Sequence, residues 1–88
     1  MVPTFKSRAI LLFSGPGDTP ELERTKQTAH STLAPFSLSI DDVQSINMAG
    51  RLIIAFLISC DAAHLAAIEK DLRESFTDSH IDVAAELL

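Results

Sequence analysis

Two continuous apolar runs decide what this chain can fold into: Ala9-Ile10-Leu11-Leu12-Phe13 near the start, and Leu52-Ile53-Ile54-Ala55-Phe56-Leu57-Ile58 past the middle. Both are short, and the first is closed by Gly15-Pro16-Gly17, which favours strands buried on two faces over helices. Helices laid on a sheet cover one face of each strand. The other face, carrying Ile53, Ala55 and Leu57 or the opposite set Leu52, Ile54, Phe56 and Ile58, then needs cover from outside a two-layer unit, or stays as a tolerated exposed patch.

The rest of the chain falls into place around these strands. Strand pattern over residues 8–14 gives way to Asp18-Thr19-Pro20, where Asp or Thr can cap free N–H groups and Pro suits a first helical turn. Helical spacing of Leu22, Ala29 and Leu33 predicts a helix over residues 21–33, ended by Ala34-Pro35. Phe36, Leu38 and Ile40 alternate with Ser37 and Ser39 as in a half-buried strand, and Asp41-Asp42 breaks the alternation, which predicts a bulge or bend. Ala49-Gly50 reads as a hairpin turn into the strand of residues 51–60. Asp61 is placed to cap a second helix whose Leu65, Ile68, Leu72 and Phe76 share one face. A last strand over residues 80–87 alternates strictly, with Ile81, Val83, Ala85 and Leu87 on one side.

The order is strand, helix, strand, strand, helix, strand. Right-handed crossovers then give an α+β domain of ferredoxin-like βαββαβ type, with a four-stranded antiparallel sheet, strands 1 and 3 in the centre and two helices on one face. Residues 1–88 make one domain, since a chain this short has room for a single core that buries roughly 60% of its unfolded surface. The apolar ending Glu86-Leu87-Leu88 is what a domain cut from a longer chain would show.

Composition narrows the function. Twelve acidic residues against seven Lys and Arg give a formal charge of −5 with no basic run, so nucleic acid and anionic membrane are poor partners. Residues 1–8 lack the layout of a signal peptide, and no apolar stretch approaches a membrane span. The lone Cys60 rules out an internal disulfide and a thiolate metal cage, and a buried inert thiol in a reducing cytoplasm fits best.

No catalytic constellation emerges. His30, His64 and His80 fall on polar positions of three elements and read as solvated side chains, so neither a metal nor a cofactor is expected. Asp41 and Asp42 are neighbours on a strand, whose successive side chains point to opposite faces, so they do not converge on a substrate. Gly15-Pro16-Gly17 lacks GxGxxG and the Walker lysine. An RNA-recognition domain would need aromatics and a basic face, and a small acyl phosphatase an arginine in the first loop, which here reads Gly15-Pro16-Gly17-Asp18-Thr19-Pro20.

The apolar strand Ile10-Leu11-Leu12-Phe13, the following Ser14-Gly15-Pro16, Asp18-Thr19-Pro20 as an Asp-x-Pro, and the stretch from Asp42 to Leu52 with its Gly50-Arg51-Leu52 turn resemble the ACT domains, particularly those at the N-terminus of bacterial phosphoserine phosphatases. The resemblance covers nearly the whole chain. It departs at Glu21, where the family pattern Asp-x-Pro-Gly has glycine, and at Ser45, where phosphatase relatives tend to have glutamine.

The resemblance implies a regulatory module that binds a small amino acid such as serine at a subunit interface, or only mediates dimerisation, and so controls an attached enzyme. No Asp-x-Asp-x-Thr/Val motif is present, so this chain is not itself the phosphatase. The implied amino-acid site is Gly15, Pro16, Gly17, Asp18, Thr19, Pro20 and Glu21 against Asn47 on the second strand of a neighbouring subunit, with helix N–H groups for the carboxylate and Asp18 or Asn47 for the ammonium. The expected partner is a second copy, as a homodimer or higher homo-oligomer packed through the sheet. A ligand-free association module is the competing reading, since Glu21 would repel a ligand carboxylate, and a small acylphosphatase-like enzyme ranks third.

Overall fold

The computed structural model describes residues 7–88, so the reading of residues 1–8 lies outside it up to position 6. Alternating burial builds the first strand, β1 (Ser7–Pro16), with Ala9, Leu11 and Phe13 inward. Asp18 then caps α1 (Thr19–Leu33), its Oδ1 accepting from the Glu21 N–H at 3.3 Å, and Pro20 sits in the first turn where its missing N–H costs nothing. The chain continues through β2 (Leu38–Met48) and β3 (Arg51–Cys60) to α2 (Leu65–Ser75) and β4 (Asp82–Leu87). The sheet order is β2-β3-β1-β4, antiparallel throughout, with the two doubly apolar strands central as expected.

Some boundaries differ from expectation for local reasons. Asp61 caps not α2 directly but a short 3₁₀ turn, Ala62–His64, that leads into it, its Oδ1 accepting from the Ala63 N–H at 3.0 Å. β4 begins at Asp82 because Ser79 still completes the turn after α2, its hydroxyl donating to the Phe76 carbonyl at 2.9 Å and accepting from the Ile81 N–H at 3.2 Å.

Both helices take the even-numbered side of β3. Leu52, Ile54, Phe56 and Ile58 are fully buried there with Leu11, Phe13, Leu33, Ile68 and Leu72. This is the bulkier set, because the opposite one contains Ala55 and Ser59. Phe13 stands at the middle of the core, edge-on to Phe56 at 5.6 Å and to Phe76 at 5.5 Å between ring centroids, a geometry favoured by the aromatic quadrupole.

The bulge falls where the acidic doublet predicts it. Ile40 pairs with Ile58 and Asp42 with Leu57, leaving Asp41 as the extra residue. This overturns the expectation that Asp41 and Asp42 point to opposite faces, since the inserted residue shifts the strand's parity. Both carboxylates lie on the side away from the helices, yet they remain separate. Asp41 accepts from the Ser59 hydroxyl, and from Ser39 at 2.8 Å, with the Arg8 Nε 3.8 Å away. Asp42 instead holds the Gln44 amide at 3.1 Å.

Hydrogen bonds from Ser59 and then Ser39 hold the Asp41 carboxyl below its ordinary value of 3.8. A lowered folded pKa contributes stability that is complete above the unfolded value and is lost as pH falls through the folded one. Urea unfolding from neutral pH into acid should therefore show wild type losing an increment of stability below 3.8 that Asp41→Asn never had. Equal slopes for the two proteins would contradict this.

The hairpin turn is type I′ in character, with Ala49 at φ 53° and Gly50 at φ 73°. Alanine in the left-handed region is strained, and such turns favour Asn-Gly. Ala49→Asn should raise the stability by about 0.5–1 kcal/mol in chemical denaturation, with the slope unchanged.

Candidate functional site

The fold brings residues 15–21 and Asn47 together inside one chain. β1 runs out at Pro16, α1 begins three residues later at Thr19, and Asn47 lies beside this connection on β2. The Asn47 amide donates to the Gly17 carbonyl at 2.8 Å and to the Arg51 carbonyl at 3.0 Å, and its Oδ1 accepts from the Thr19 hydroxyl at 3.4 Å. The Gly17 N–H adds a bond to the Gly50 carbonyl at 2.9 Å. Asn47 thus clamps the β1–α1 connection onto the β2–β3 hairpin of its own protomer, with both amide hydrogens spent and one acceptor lone pair left.

Two glycines of the set are demanded by close approach. A Cβ on Gly15 would stand 2.5 Å from the His80 carbonyl oxygen, so the end of β1 packs directly on the backbone entering β4. A Cβ on Gly17, at φ +156°, would stand 2.7 Å from the Glu21 Cβ and 2.9 Å from Leu52 Cδ2. Glu21, at the position where the family pattern has glycine, therefore lays its own methylenes over Gly17. Its carboxylate turns along the helix to pair with Arg24.

Beyond Glu21 lies a feature that the sequence reading did not find: a groove of about 390 Å³ between α1 and the segment joining α2 to β4. Glu21, Arg24 and Thr28 form one wall, Ser79 and His80 the other, and the ring of buried Phe76 lies beneath. Positions 21, 24, 25 and 28 share a helix face. This polar stripe, beside the apolar Leu22 and Ala29, was the available signal. Thr25 is buried within it because its hydroxyl donates to the Glu21 carbonyl at 2.8 Å.

The three histidines are exposed, His30 tilting over Phe56 at 5.0 Å between rings. No group of three or more metal-ligating side chains clusters among the described residues. Cys60 is fully buried, and burial raises its thiol pKa, so it stays protonated and slow to react.

The face of the sheet away from the helices carries Leu12, Ile46, Met48 and Ile53, four of the six exposed large apolar side chains among the described residues. Register places Ile46 beside Ile53, the row Ala55, Leu12 and Ala84 next to them, and Leu57 beside Ile10. Ile46, Ile53 and Leu12 are 53%, 47% and 38% exposed. With Met48 and Ser14 the first two enclose a depression of about 620 Å³ at the hairpin end, where Arg51 stands at its rim. Asp42 and Glu86 flank the stripe on the outer strands. Whichever set the helices leave uncovered was expected to be apolar, and it is Ile53, Ala55 and Leu57. No helix among the described residues is long and apolar enough to cross a membrane.

A two-layer βαββαβ domain with its second strand at a free edge and a capped connection after β1 defines the class. Residues 28–86 match the family model described as ACT domain, and the chain belongs to the ACT domain family. It superposes on an ACT domain protein from Streptococcus pneumoniae with a TM-score of 0.72 at 12% identity, covering 92% of this chain and 89% of that one. The ligand-free regulatory subunit of aspartate kinase from Thermus thermophilus gives 0.69 at 14% identity, over 91% of this chain and 50% of that. Formyltetrahydrofolate deformylase from Burkholderia mallei gives 0.74 at 10% identity, over 91% and 28%. This chain thus spans half or less of the two larger proteins, and at these identities the likeness is one of fold. No curated protein matches the sequence significantly.

Proposed function

We propose that this chain is a non-catalytic regulatory ACT domain that self-associates through the outer face of its sheet and takes up a small amino acid, serine or one like it, as effector. The observation that carries this reading is the uncovered stripe of Leu12, Ile46, Met48 and Ile53, which register places side by side on one face of the sheet; an interaction surface groups them so, whereas apolar residues scattered singly need no explanation. A homodimer is the simplest closed assembly that covers it. The effector would be met at residues 15–21 and Asn47, where Asp18 or the remaining lone pair of the Asn47 side-chain carbonyl offers an acceptor to an ammonium and the positive end of the α1 dipole faces a carboxylate. The protein served would be a phosphoserine phosphatase of serine biosynthesis, in the reducing cytoplasm where a free thiol such as Cys60 persists.

A second reading, an association module without ligand, is favoured by one observation: the Glu21 methylenes already cover Gly17. Light scattering on the purified chain, with a phosphoserine hydrolysis assay on the same sample, tests the proposal. A dimer that hydrolyses nothing is expected. A strict monomer at high micromolar concentration, or hydrolysis lost in Asp18→Asn, would overturn it.

A further inference from the structure

Pairing arranges the outer face of the sheet in rows across the strands. At the hairpin end Met48 stands beside Arg51, and the next row holds Ile46, Ile53, Ser14 and Asp82. Ala55 and Leu12 make the middle, followed by Asp42, Leu57, Ile10 and Glu86. Ser59 and Arg8 close the far end, where Asp41 is bonded to the Ser59 hydroxyl. The face is therefore charged unevenly, with an arginine at one end of β3 and an acidic doublet beside the other end.

Neither Arg51 nor Asp42 makes an ion pair among the described residues, and Asp42 spends its carboxylate on the Val43 N–H and the Gln44 amide. They cannot pair with each other inside one chain. Asp42 stands opposite Leu57, six residues along β3 from Arg51, which at the rise of a strand is about 20 Å. A second copy removes that distance when it is turned the right way.

Two sheets packed face to face, with no strand passing from one to the other, keep their strand directions within about 30° of each other. A two-fold axis between them then runs either nearly along the strands or nearly across them. An axis along the strands sets the partner's Glu86 over Asp42 and the partner's Pro16 over Arg51, acid on acid with the arginine unmatched. An axis across the strands sets the partner's Ser59 over Arg51. The partner's acidic doublet is then one strand away, within reach of an arginine side chain across sheets about 10 Å apart. The same turn lays Ile53 over the partner's Leu57 and Leu12 over its own counterpart. It also brings Asp82 near the partner's Glu86, at the outer edge where both are exposed and water screens them.

We propose that two copies of this chain associate face to face with their β3 strands antiparallel, Arg51 of each reaching the Asp41 and Asp42 carboxylates of the other. Two symmetric charge clusters then close the ends of one apolar stripe. This rests on the reading that the domain self-associates through the sheet face, and it adds the orientation and the residues that choose it. Like charges in the rejected orientation make that choice as much as opposite charges in the other.

Mixing charge-reversed chains tests the orientation, with sedimentation equilibrium as the readout. Arg51→Glu and Asp42→Arg should each weaken association of the pure variant about tenfold or more, since each sets like charges together twice per dimer. Asp42 is chosen because Asp41 is tied to Ser39 and Ser59 of its own chain. Mixed in equal amounts, the two variants should associate to within about threefold of wild type, because each contact between positions 51 and 42 in the heterodimer again joins opposite charges. Arg51→Glu mixed with Glu74→Arg, a reversal of the same size at an exposed position of α2, should not recover. Thermal midpoints close to wild type establish that the variants are folded, and Asp42→Lys replaces Asp42→Arg where arginine disturbs the bulge. Recovery in neither mixture, with wild type dimeric and Ile53→Glu monomeric, would overturn the orientation and leave the sheet face as the interface. Equal recovery in both mixtures would do the same, as an effect of net charge alone. A monomeric wild type, or association untouched by Ile53→Glu, would overturn both.

Discussion

Ile53→Glu is expected to leave the domain folded and to abolish its self-association. Ile53 is 47% exposed in the single chain and lies on the face away from the helices, so a polar substitution there should change stability by no more than about 0.5 kcal/mol. In a two-fold assembly through that face the introduced carboxylate is buried twice, among Ile46, Met48 and Leu12 of both copies. Stranding a charge in an apolar contact costs about 3 kcal/mol or more, which weakens association a hundredfold or greater. Sedimentation equilibrium of wild type and variant across a wide concentration range reads this directly. Ala66→Glu, on the exposed side of α2, serves as the control that should still associate. Equal association of wild type and Ile53→Glu would remove the sheet face from the interface.

Phe13→Ala should have the largest effect on folding of any single substitution in the chain. Phe13 is fully buried and joins the rings of Phe56 and Phe76, which come from β3 and the end of α2. Its truncation therefore opens a cavity between the sheet and the helical layer that covers it, with little freedom to collapse. A cost of about 3–5 kcal/mol is expected, or a thermal midpoint lower by roughly 15–30 °C. A domain of this size holds only about 4–13 kcal/mol in all, so part of the variant population should be unfolded at ambient temperature. Phe13→Leu, which keeps most of the volume, should cost less than half as much. Similar losses for both substitutions would mean that the aromatic cluster is not the centre of the core.

The parts of the fold that were legible in the sequence are those set by local chemistry. Asp18 before Pro20, Ala49-Gly50 between two strand patterns and the Asp41-Asp42 interruption each announce a cap, a turn and a bulge by the residues themselves. The consequence of the bulge was harder to see. Leu38 and Ile40 face the helices, whereas Ile46 and Met48, of the same parity, face outward because one residue has been inserted between them. Nor could the apolar pattern of β3 alone say which of its two faces the helices would take, since period-two reading is silent when both faces are apolar. That choice was made by volume, through Phe56 against Ala55 on the two sides.

The candidate site was legible only as a list of residues. Asn47 lies 30 residues from Gly17 in the chain, and no spacing rule links an amide on one strand to a carbonyl in a distant loop. Its clamp exists because antiparallel pairing carries the end of β2 past the end of β1. Glu21 was flagged as a charge in place of a glycine, but its two separate actions, the methylenes on Gly17 and the carboxylate beside Arg24, depend on how α1 leaves its cap. The groove needed the turn before β4, which the strand pattern had absorbed into residues 80–87.

The most direct test of association through the sheet face is a search for cross-protomer contacts in a mixed sample of isotope-labelled and unlabelled chains. Filtered NOEs between methyl groups of Leu12, Ile46, Ile53 and Leu57 on one protomer and the same set on its partner are predicted, because these side chains line the face between Arg51 and Arg8. A monomer at every concentration reached, or contacts confined to the free edge of β2 with the Leu12 and Ile53 methyls silent, would contradict it.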